Sequence, residues 1–325
     1  MTFPYNVYLP AFAGALLVTF ASLPTWRRWC IRTGHVDDPG HRKIHESPIP
    51  LAGGLAVLTG ILIPILAAVI VARCHIGGFD SAALTHGLET RKIELAAILF
   101  GAVAMVALGW WDDRFEMRPL PKFAGQIFIA LIVAASGVRV TLFVHNIVFS
   151  YAITILWILT VINAFNFMDN MNGLCAGLGA LGAFYFGVSA ASSGQYLVAL
   201  IALLACGALL GFLPYNFPRA TAFLGDAGSH LIGYLLAVLA VLPHFYSVKN
   251  ASDKLAVLTP LLVLAVPLAD MAWVVILRTR LGRPFYIGDN NHLSHRLVRR
   301  GLSKTSAVLV IWLLAAAAGA LSFVL

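Results

Sequence analysis

Ten long apolar runs constrain this chain more than any other feature. Each is roughly long enough to cross a bilayer core as a helix, which takes about 20 residues. Because lipid leaves backbone groups without water to bond, only helices and closed barrels span it. We therefore predict one all-α integral membrane domain over residues 1–325, with about ten transmembrane helices. The predicted spans are 7–23, 51–72, 95–111, 123–136, 146–162, 174–191, 196–213, 228–242, 255–277 and 306–325.

The composition supports the same class. Hydrophobic residues make up 60% of the 325 residues and charged residues 11%, whereas an ordinary soluble domain is about 25% charged. The net charge of +8 comes from basic residues beside apolar runs, where membrane orientation explains them better than nucleic-acid binding. The cysteines form no CxxC pair, so they indicate neither a disulfide framework nor a zinc site. They are Cys30, Cys74, Cys175 and Cys206.

Charged residues divide unequally between the two sets of loops. Sixteen of the 22 Lys and Arg residues lie in the loops at 24–50, 112–122, 163–173, 214–227 and 278–304, and so do nine of the 14 acids. By the positive-inside rule these loops are cytoplasmic and both termini lie outside. Nearly all groups able to do polar chemistry thus converge on one face. We predict an active site on the cytoplasmic face of the inner (plasma) membrane.

Two adjacent carboxylates end the third predicted span. Asp112 and Asp113 lie there, and Lys122 follows nine residues later. Such a pair at a membrane interface is suited to holding a divalent cation or taking a proton from an acidic phosphate. The alternative is an interfacial turn with solvated charges.

Amide and carboxylate side chains recur after the fifth predicted span. Asn163, Asn166, Asp169 and Asn172 follow one another at intervals of three, which on a helical end gives one slowly drifting stripe. Oxygen ligands of this type suit magnesium. A polar helix end with Asn caps is the alternative interpretation.

Asp226 lies between two glycines immediately before the eighth predicted span. Glycine allows close backbone approach, and a helix N-terminus offers free N–H groups to an anion. An Asp or Ser cap would give the same pattern.

The last cytoplasmic loop, 278–304, combines histidines with arginines. His292 and His295 are three residues apart, and three arginines follow, the first of them Arg296. A guanidinium group can donate two hydrogen bonds to the oxygens of one phosphate, so the cluster suits a pyrophosphate. The alternative is that these arginines only reflect the positive-inside rule. Asp270 lies within an apolar run, where an ionisable residue indicates function. We interpret Asp270 as a residue that supports the site residues without contacting the substrate. The alternative is that it pairs with a nearby Arg and has only a structural role.

Taken in order, these loops resemble the motifs of the polyprenyl-phosphate N-acetylhexosamine-1-phosphate transferase family. The resemblance covers essentially the whole chain, through residues 38–54, 112–113, 163–173, 215–229 and 289–301. It implies a ten-helix fold and a magnesium-dependent enzyme, with Mn²⁺ as an alternative metal. The implied reaction transfers a sugar 1-phosphate from a UDP-N-acetylhexosamine to undecaprenyl or another polyprenyl phosphate and releases UMP.

The resemblance also implies roles for single residues. Asp226 would be the principal metal ligand, with Asn166 as a second, and Asp112 and Asp113 would position or deprotonate the lipid phosphate. Phosphate charge would be neutralised by Lys122 and Lys43. The remaining implied substrate contacts are His45, Asn163, Asp169, Asn172, Asn216, Phe223 as a uracil-stacking ring, and His292, His295 and Arg296 at the pyrophosphate or sugar.

Two departures from the family pattern bear on the substrate. Asn172 stands where bacterial members usually carry a second Asp, which favours binding over proton transfer at that position. Ser294 replaces a middle His, so the last motif is closer to the GlcNAc-1-phosphate branch than to the phospho-MurNAc-pentapeptide branch. The peptidoglycan enzyme of the family remains an alternative, as does a transporter or lipid flippase. The sugar, the prenyl length and a homodimer stay open.

Overall fold

The computed structural model describes residues 3–38, 48–73, 90–140, 146–242, 258–284, 286 and 289–324. In these ranges, a short antiparallel pair joins β1 (Val36–Asp37) to β2 (Ile49–Pro50), with Val36 opposite Pro50. The other elements are helical. They are α1 (Tyr5–Thr33), α2 (Gly53–Arg73), α3 (Lys92–Phe115), α4 (Pro119–Ala135), α5 (Ile147–Met168), α6 (Leu174–Ser192), α7 (Tyr196–Asn216), α8 (Gly225–Val241), α9 (Thr259–Val263), α10 (Ala265–Arg280), α11 (Leu293–Arg299) and α12 (Lys304–Leu321).

Seven of the described helices are long and apolar enough to cross a membrane. They are α1, α2, α3, α5, α6, α7 and α12. Two shorter apolar helices, α4 and α8, have 17 residues each. The prediction of an all-α, multi-pass membrane protein is confirmed. The count of ten spans and the outside position of the termini stay predictions.

One predicted span is interrupted in the structure, and others end later than predicted: α1 runs to Thr33 and α5 to Met168. The prediction of an uninterrupted helix over 255–277 is wrong, because the described part breaks at Leu264 into α9 and α10. Pro267 has no N–H to donate to the carbonyl of Val263, and its ring clashes with that carbonyl. The chain therefore restarts as a new helix at Ala265. At a rise of 1.5 Å per residue, the 16 residues of α10 extend about 24 Å.

Helix α8 is the centre of the bundle. Every residue from Gly225 to Ala240 except Asp226 is buried, and α2, α3, α5 and α6 pack around it. A helix that is apolar on all sides is expected in such a position. Asp226, in the first turn, is the one residue of this stretch that is only half-buried. The polar end of the bundle therefore begins at Asp226.

Two glycines set how closely neighbours approach the first turn of α8. A Cβ on Gly109 of α3 would lie 2.5 Å from the Ala227 nitrogen and would also meet the Asp226 carbonyl oxygen. A Cβ on Gly54 of α2 would lie 2.5 Å from the Gly228 nitrogen. Because backbone atoms cannot swing aside, only glycine fits at either position. Both helices therefore press directly on the start of α8.

We expect Gly109→Ala to lower the apparent melting temperature of the detergent-solubilised protein. The added methyl group meets backbone atoms of α8, and overpacking of this kind typically costs about 1–3 kcal/mol. Differential scanning fluorimetry measures the shift. The matched control is Gly14→Ala in α1, whose Cβ would lie at an ordinary 3.7 Å from Pro64. Equal melting temperatures for the two variants would contradict the close-packing account.

Candidate active site

The ends of four helices meet around Asp226. This residue lies in the first turn of α8. Asp112 and Asp113 lie near the C-terminal end of α3, Lys122 lies in the first turn of α4, and Asn166 lies near the C-terminal end of α5. Residues that are distant in sequence are thus brought to one end of the bundle. The predicted grouping of these motifs on one face agrees with this arrangement.

Asp113 caps α8 from a neighbouring helix. Its Oδ1 accepts a hydrogen bond from the Asp226 backbone nitrogen at 2.8 Å, and its Oδ2 accepts one from Ala227 at 3.1 Å. The first N–H groups of a helix lack partners inside the helix, and a carboxylate there also meets the positive end of the helix dipole. Asp113 therefore orients the turn that carries Asp226.

Lys122 joins the two other carboxylates. Its Nζ lies 2.6 Å from Asp112 Oδ2 and 2.6 Å from Asp226 Oδ2, and its side chain is 17% exposed. Asp112 is also fixed on its other side, because its Oδ1 accepts a hydrogen bond from the Met117 nitrogen at 2.7 Å. An ammonium with two carboxylate partners is well placed to exchange one of them for a phosphate oxygen.

Asn166 contacts the remaining oxygen of Asp226. Its Nδ2 donates to Asp226 Oδ1 at 2.7 Å and to Ser229 Oγ at 3.0 Å. Asn163 lies one turn deeper in α5 and donates to Gln126 Oε1 at 3.0 Å. Helix α5 ends at Met168, so Asp169 and Asn172 follow in the turn instead of extending the helical stripe. Of the four residues predicted to form one stripe, Asn163 and Asn166 therefore lie in the helix, whereas the other two lie in the turn that follows it.

Asp169 is a fourth carboxyl group close to Asp112, Asp113 and Asp226. Burial, together with the charges of Asp226 and Asp37, raises the pKa of Asp169 from 3.8 to about 7. Hydrogen bonds to its carboxylate are absent among the residues that the structure describes. Negative charge therefore exceeds what Lys122 neutralises, which makes this end of the bundle favourable for a further cation.

Asp226 and Asn166 fit a magnesium ion that also binds substrate. Turning the Asn166 amide would place its oxygen where Nδ2 lies, 2.7 Å from Asp226 Oδ1. Adjacent ligands of octahedral Mg²⁺ are about 2.9 Å apart, given bond lengths of 2.0–2.1 Å. In the described ranges, no group of three or more His, Cys, Asp or Glu side chains could hold a metal. Mg²⁺ commonly uses one or two carboxylates plus waters and substrate phosphates.

Asn216 and Asn172 hold the turns beside the site. Asn216 is buried; its Oδ1 accepts from the Gly173 nitrogen at 2.6 Å and its Nδ2 donates to the Ala222 carbonyl at 3.0 Å. Asn172 donates to the Pro218 carbonyl at 3.3 Å. The amide of Asn216 is therefore occupied with backbone groups. Substrate contact by these two residues stays a prediction.

The end of the first motif docks on the loop before α8. The Phe223 nitrogen donates to the Pro50 carbonyl at 3.0 Å, and its carbonyl accepts from Gly53 at 2.9 Å. The side chain of Phe223 is half-buried, and its predicted stacking on uracil stays a prediction. Lys43 and His45 lie outside the described residues.

The last motif forms a short helix, α11, that the sequence analysis did not predict. Its first residues contact α10, where His292 Nδ1 lies 2.6 Å from Asp270 Oδ2. Arg296 places its guanidinium 4.7 Å from the ring centre of Trp273. Burial and the nearby positive charges lower the pKa of His295 below its usual value. The ring centres of His292 and His295 lie 6.2 Å apart, and the binding of a pyrophosphate or sugar by these residues and Arg296 stays a prediction.

A second ion pair holds the loop before α11. The buried Arg278 donates through Nε to Asp289 Oδ2 at 3.2 Å, and its guanidinium lies 4.9 Å from the ring centre of Phe167. Partial burial alone would raise the pKa of Asp289, but hydrogen bonds from Arg278 and Asn291 lower it to about 2. This loop is therefore fastened to the end of α5.

Several buried polar residues near the site were not predicted from the sequence. Gln126 and His230 are fully buried, with Nε2 atoms 3.4 Å apart, behind Asn163. His35 is 2% exposed, stacks on Trp110, and lies 4.0 Å from Asp113. A polar side chain inside an apolar span is a signal that could have identified Gln126 and His230.

Comparisons with known proteins point to one family. The model of the family described as glycosyl transferase family 4 matches residues 95–244. A probable undecaprenyl-phosphate N-acetylglucosaminyl 1-phosphate transferase of Bacillus subtilis is 33% identical, covering 94% of this chain and 81% of the relative. Decaprenyl-phosphate N-acetylglucosaminephosphotransferase of Mycobacterium tuberculosis is 36% identical, covering 94% and 79%.

A more distant relative shows the same breadth of similarity. Undecaprenyl-phosphate alpha-N-acetylglucosaminyl 1-phosphate transferase of Yersinia pestis is 28% identical, covering 92% of this chain and 79% of the relative. The similarity thus extends beyond the segment matched by the family model and includes the loops that carry the first and last motifs. The family resemblance drawn from the motifs is confirmed, and the chain belongs to glycosyl transferase family 4.

Proposed function

We propose that this protein transfers N-acetylglucosamine 1-phosphate from UDP-N-acetylglucosamine to a polyprenyl phosphate and releases UMP. The names of the three relatives support the acceptor and the transferred group. The observation that carries the proposal is the Asp226 carboxylate, held between Lys122 and Asn166 at the start of a buried helix. Such a site suits the meeting of two anionic phosphates at a membrane surface.

The reaction forms one bond and breaks one. An oxygen of the lipid phosphate bonds to the β-phosphorus of the nucleotide sugar, and the bond from that phosphorus to the bridging oxygen breaks. UMP leaves with the bridging oxygen. A phosphate monoester has a second pKa near 6, so the lipid phosphate is mostly dianionic at pH 7. Positioning and charge stabilisation therefore matter more than a strong base.

Lys122 is the residue that receives a phosphate oxygen in this proposal. Its Nζ already lies 2.6 Å from both Asp112 and Asp226, so it can keep Asp112 while it donates to the substrate. Asp112 then holds Lys122 in place. Asp113 holds the first turn of α8 through two backbone hydrogen bonds, which assigns it a positioning role instead of proton transfer.

Asp226 and Asn166 are the proposed magnesium ligands. The spacing of their side-chain atoms and the uncompensated charge near Asp169 support this assignment. When bound, Mg²⁺ would neutralise charge on the diphosphate and help the leaving UMP. His295 and Arg296 supply donors for the sugar or the diphosphate, His292 contacts the same part of the substrate, and Phe223 offers a ring to the uracil.

The proposed location follows from the loop charges. The helix ends that surround Asp226 belong to the set of loops that together carries 16 of the 22 Lys and Arg residues, so we assign this face to the cytoplasm. There, a soluble nucleotide sugar meets a lipid phosphate at the depth of the membrane interface. The protein is accordingly proposed to be a multi-pass protein of the plasma membrane.

UMP release by the full-length protein in detergent tests the proposal. With undecaprenyl phosphate and Mg²⁺, we expect UMP from UDP-N-acetylglucosamine and none from UDP-MurNAc-pentapeptide. A chelator should stop release, and added Mg²⁺ or Mn²⁺ should restore it. Release only from the pentapeptide donor would assign the protein to the peptidoglycan branch. No release from a folded sample with a wider panel of UDP-sugars would refute the transferase function.

Asp226→Asn should reduce UMP release by at least about a hundredfold, because one carboxylate at a metal and phosphate site contributes several kcal/mol to the transition state. The melting temperature should change little, because Asn has nearly the same shape, Lys122 keeps its contact with Asp112, and Asp113 still holds the backbone of α8. The matched control is Glu94→Gln, which removes a half-buried carboxylate paired with the exposed Arg91 at the other end of α3. Activity of Asp226→Asn near that of the control would refute the assignment.

Asp113→Asn should combine lower stability with lower activity. An amide has one acceptor oxygen where the two N–H groups of α8 need two, and an unsatisfied buried donor costs about 1–3 kcal/mol. We therefore expect a lower melting temperature than for Asp226→Asn, measured side by side. A variant that loses activity at unchanged stability would instead make Asp113 a direct participant in the reaction.

A further inference from the structure

Asp270 is a buried carboxylate that the proposed reaction does not use. It lies in α10, is 5% exposed, and directs both oxygens at the start of α11. Its Oδ2 lies 2.6 Å from His292 Nδ1, and its Oδ1 accepts a hydrogen bond from the Leu293 nitrogen at 2.6 Å. A backbone N–H can only donate, so the carboxylate serves two donors only when His292 carries a proton on Nδ1.

The ring of His292 is held in place from other sides as well. Its ring centre lies 5.7 Å from that of Phe167, with the ring planes nearly perpendicular. Ser294 of α11 donates to Asn170 Oδ1 at 2.6 Å. Phe167 and Asn170 flank Asp169, so α11 is fastened to the turn that follows Asn166. His292 is thereby fixed beside Phe167, at the end of the helix that carries Asn166.

The second ring nitrogen of His292 remains available. No hydrogen bond within the described part of the chain uses Nε2. In the neutral ring, a proton on Nδ1 makes Nε2 an acceptor. An acceptor at this place matches an O–H or N–H donor, and the N-acetylated sugar of the nucleotide substrate carries both.

We propose that Asp270 is a positioning residue that sets the tautomer of His292, so that Nε2 accepts a hydrogen bond from a hydroxyl or amide N–H of the donor sugar. This inference rests on the proposed function and deepens it, because it names a group that recognises the donor sugar. Carboxylates behind histidines act in this way at other sites, where they fix both the ring orientation and the protonated nitrogen.

Asp270→Asn makes a sharp test because an amide has one acceptor and one donor end. The amide oxygen stays with the Leu293 N–H, since leaving that buried donor unsatisfied is costly. The NH₂ group then faces His292 Nδ1, which must become the acceptor. The proton moves to Nε2, and the nitrogen that faced the sugar as an acceptor becomes a donor.

Nitrogen NMR of the full-length protein, labelled with ¹⁵N-histidine in detergent, reads the tautomer directly. The His292 signals are identified by their loss in His292→Gln. We expect protonated Nδ1 in the wild-type protein and protonated Nε2 in Asp270→Asn. A wild-type ring protonated on Nε2 would overturn the proposal, whether or not the variant folds. The measurement needs no turnover, so it separates this role from failure of the transferase function.

Kinetics supply the second readout. Asp270→Asn should raise KM for UDP-N-acetylglucosamine and lower kcat/KM about ten- to a hundredfold, the usual effect of losing a residue behind a ligand. In a His292→Gln background the same change should have little further effect, because the two residues act as one unit. Thr279→Ala, an exposed site on α10, should leave kinetics unchanged. Equal losses in both backgrounds would mean that Asp270 acts on the fold alone.

Discussion

The first backbone N–H groups of a buried helix need hydrogen-bond acceptors from outside that helix, and the rest of this structure depends on how they are supplied. The first N–H groups of α8 point into a region where water is scarce, and Asp113 accepts two of them from the neighbouring helix. That contact requires α3 to lie against the first turn of α8, which Gly109 allows. The position of Asp226, and with it the whole site, follows from this one interaction.

The site divides into two halves with opposite electrostatic character. The half around α8 has carboxylates in excess of its single described lysine, whereas the half formed by α10 and α11 contains arginine and histidine. Carboxylates behind the second half, Asp270 and Asp289, orient those basic groups. A diphosphate with a bound cation would be complementary to such a pair of surfaces, because the cation would meet the first half and the phosphate oxygens would meet the second.

Local patterns in the sequence were sufficient for most of the architecture. Hydropathy located the helices and loop charge grouped the motifs, because both properties depend on residues that lie close together in the sequence. Long-range pairing was not accessible in this way. Asp113 was expected to act on phosphate, and its hydrogen bonds to α8, more than a hundred positions away, depend on how closely two helices pack. The break at Leu264 did have a local cause, Pro267, which the length of the apolar run concealed.

The lysine shared between Asp112 and Asp226 has a consequence for selectivity. Since Lys122 already has two anionic partners, an incoming phosphate must replace one of them instead of filling an empty cationic pocket. The net attraction for a free inorganic anion is therefore small. Affinity for a polyprenyl phosphate would then come largely from its apolar chain. Lys122 itself therefore favours a phosphate delivered by a lipid over a free inorganic phosphate.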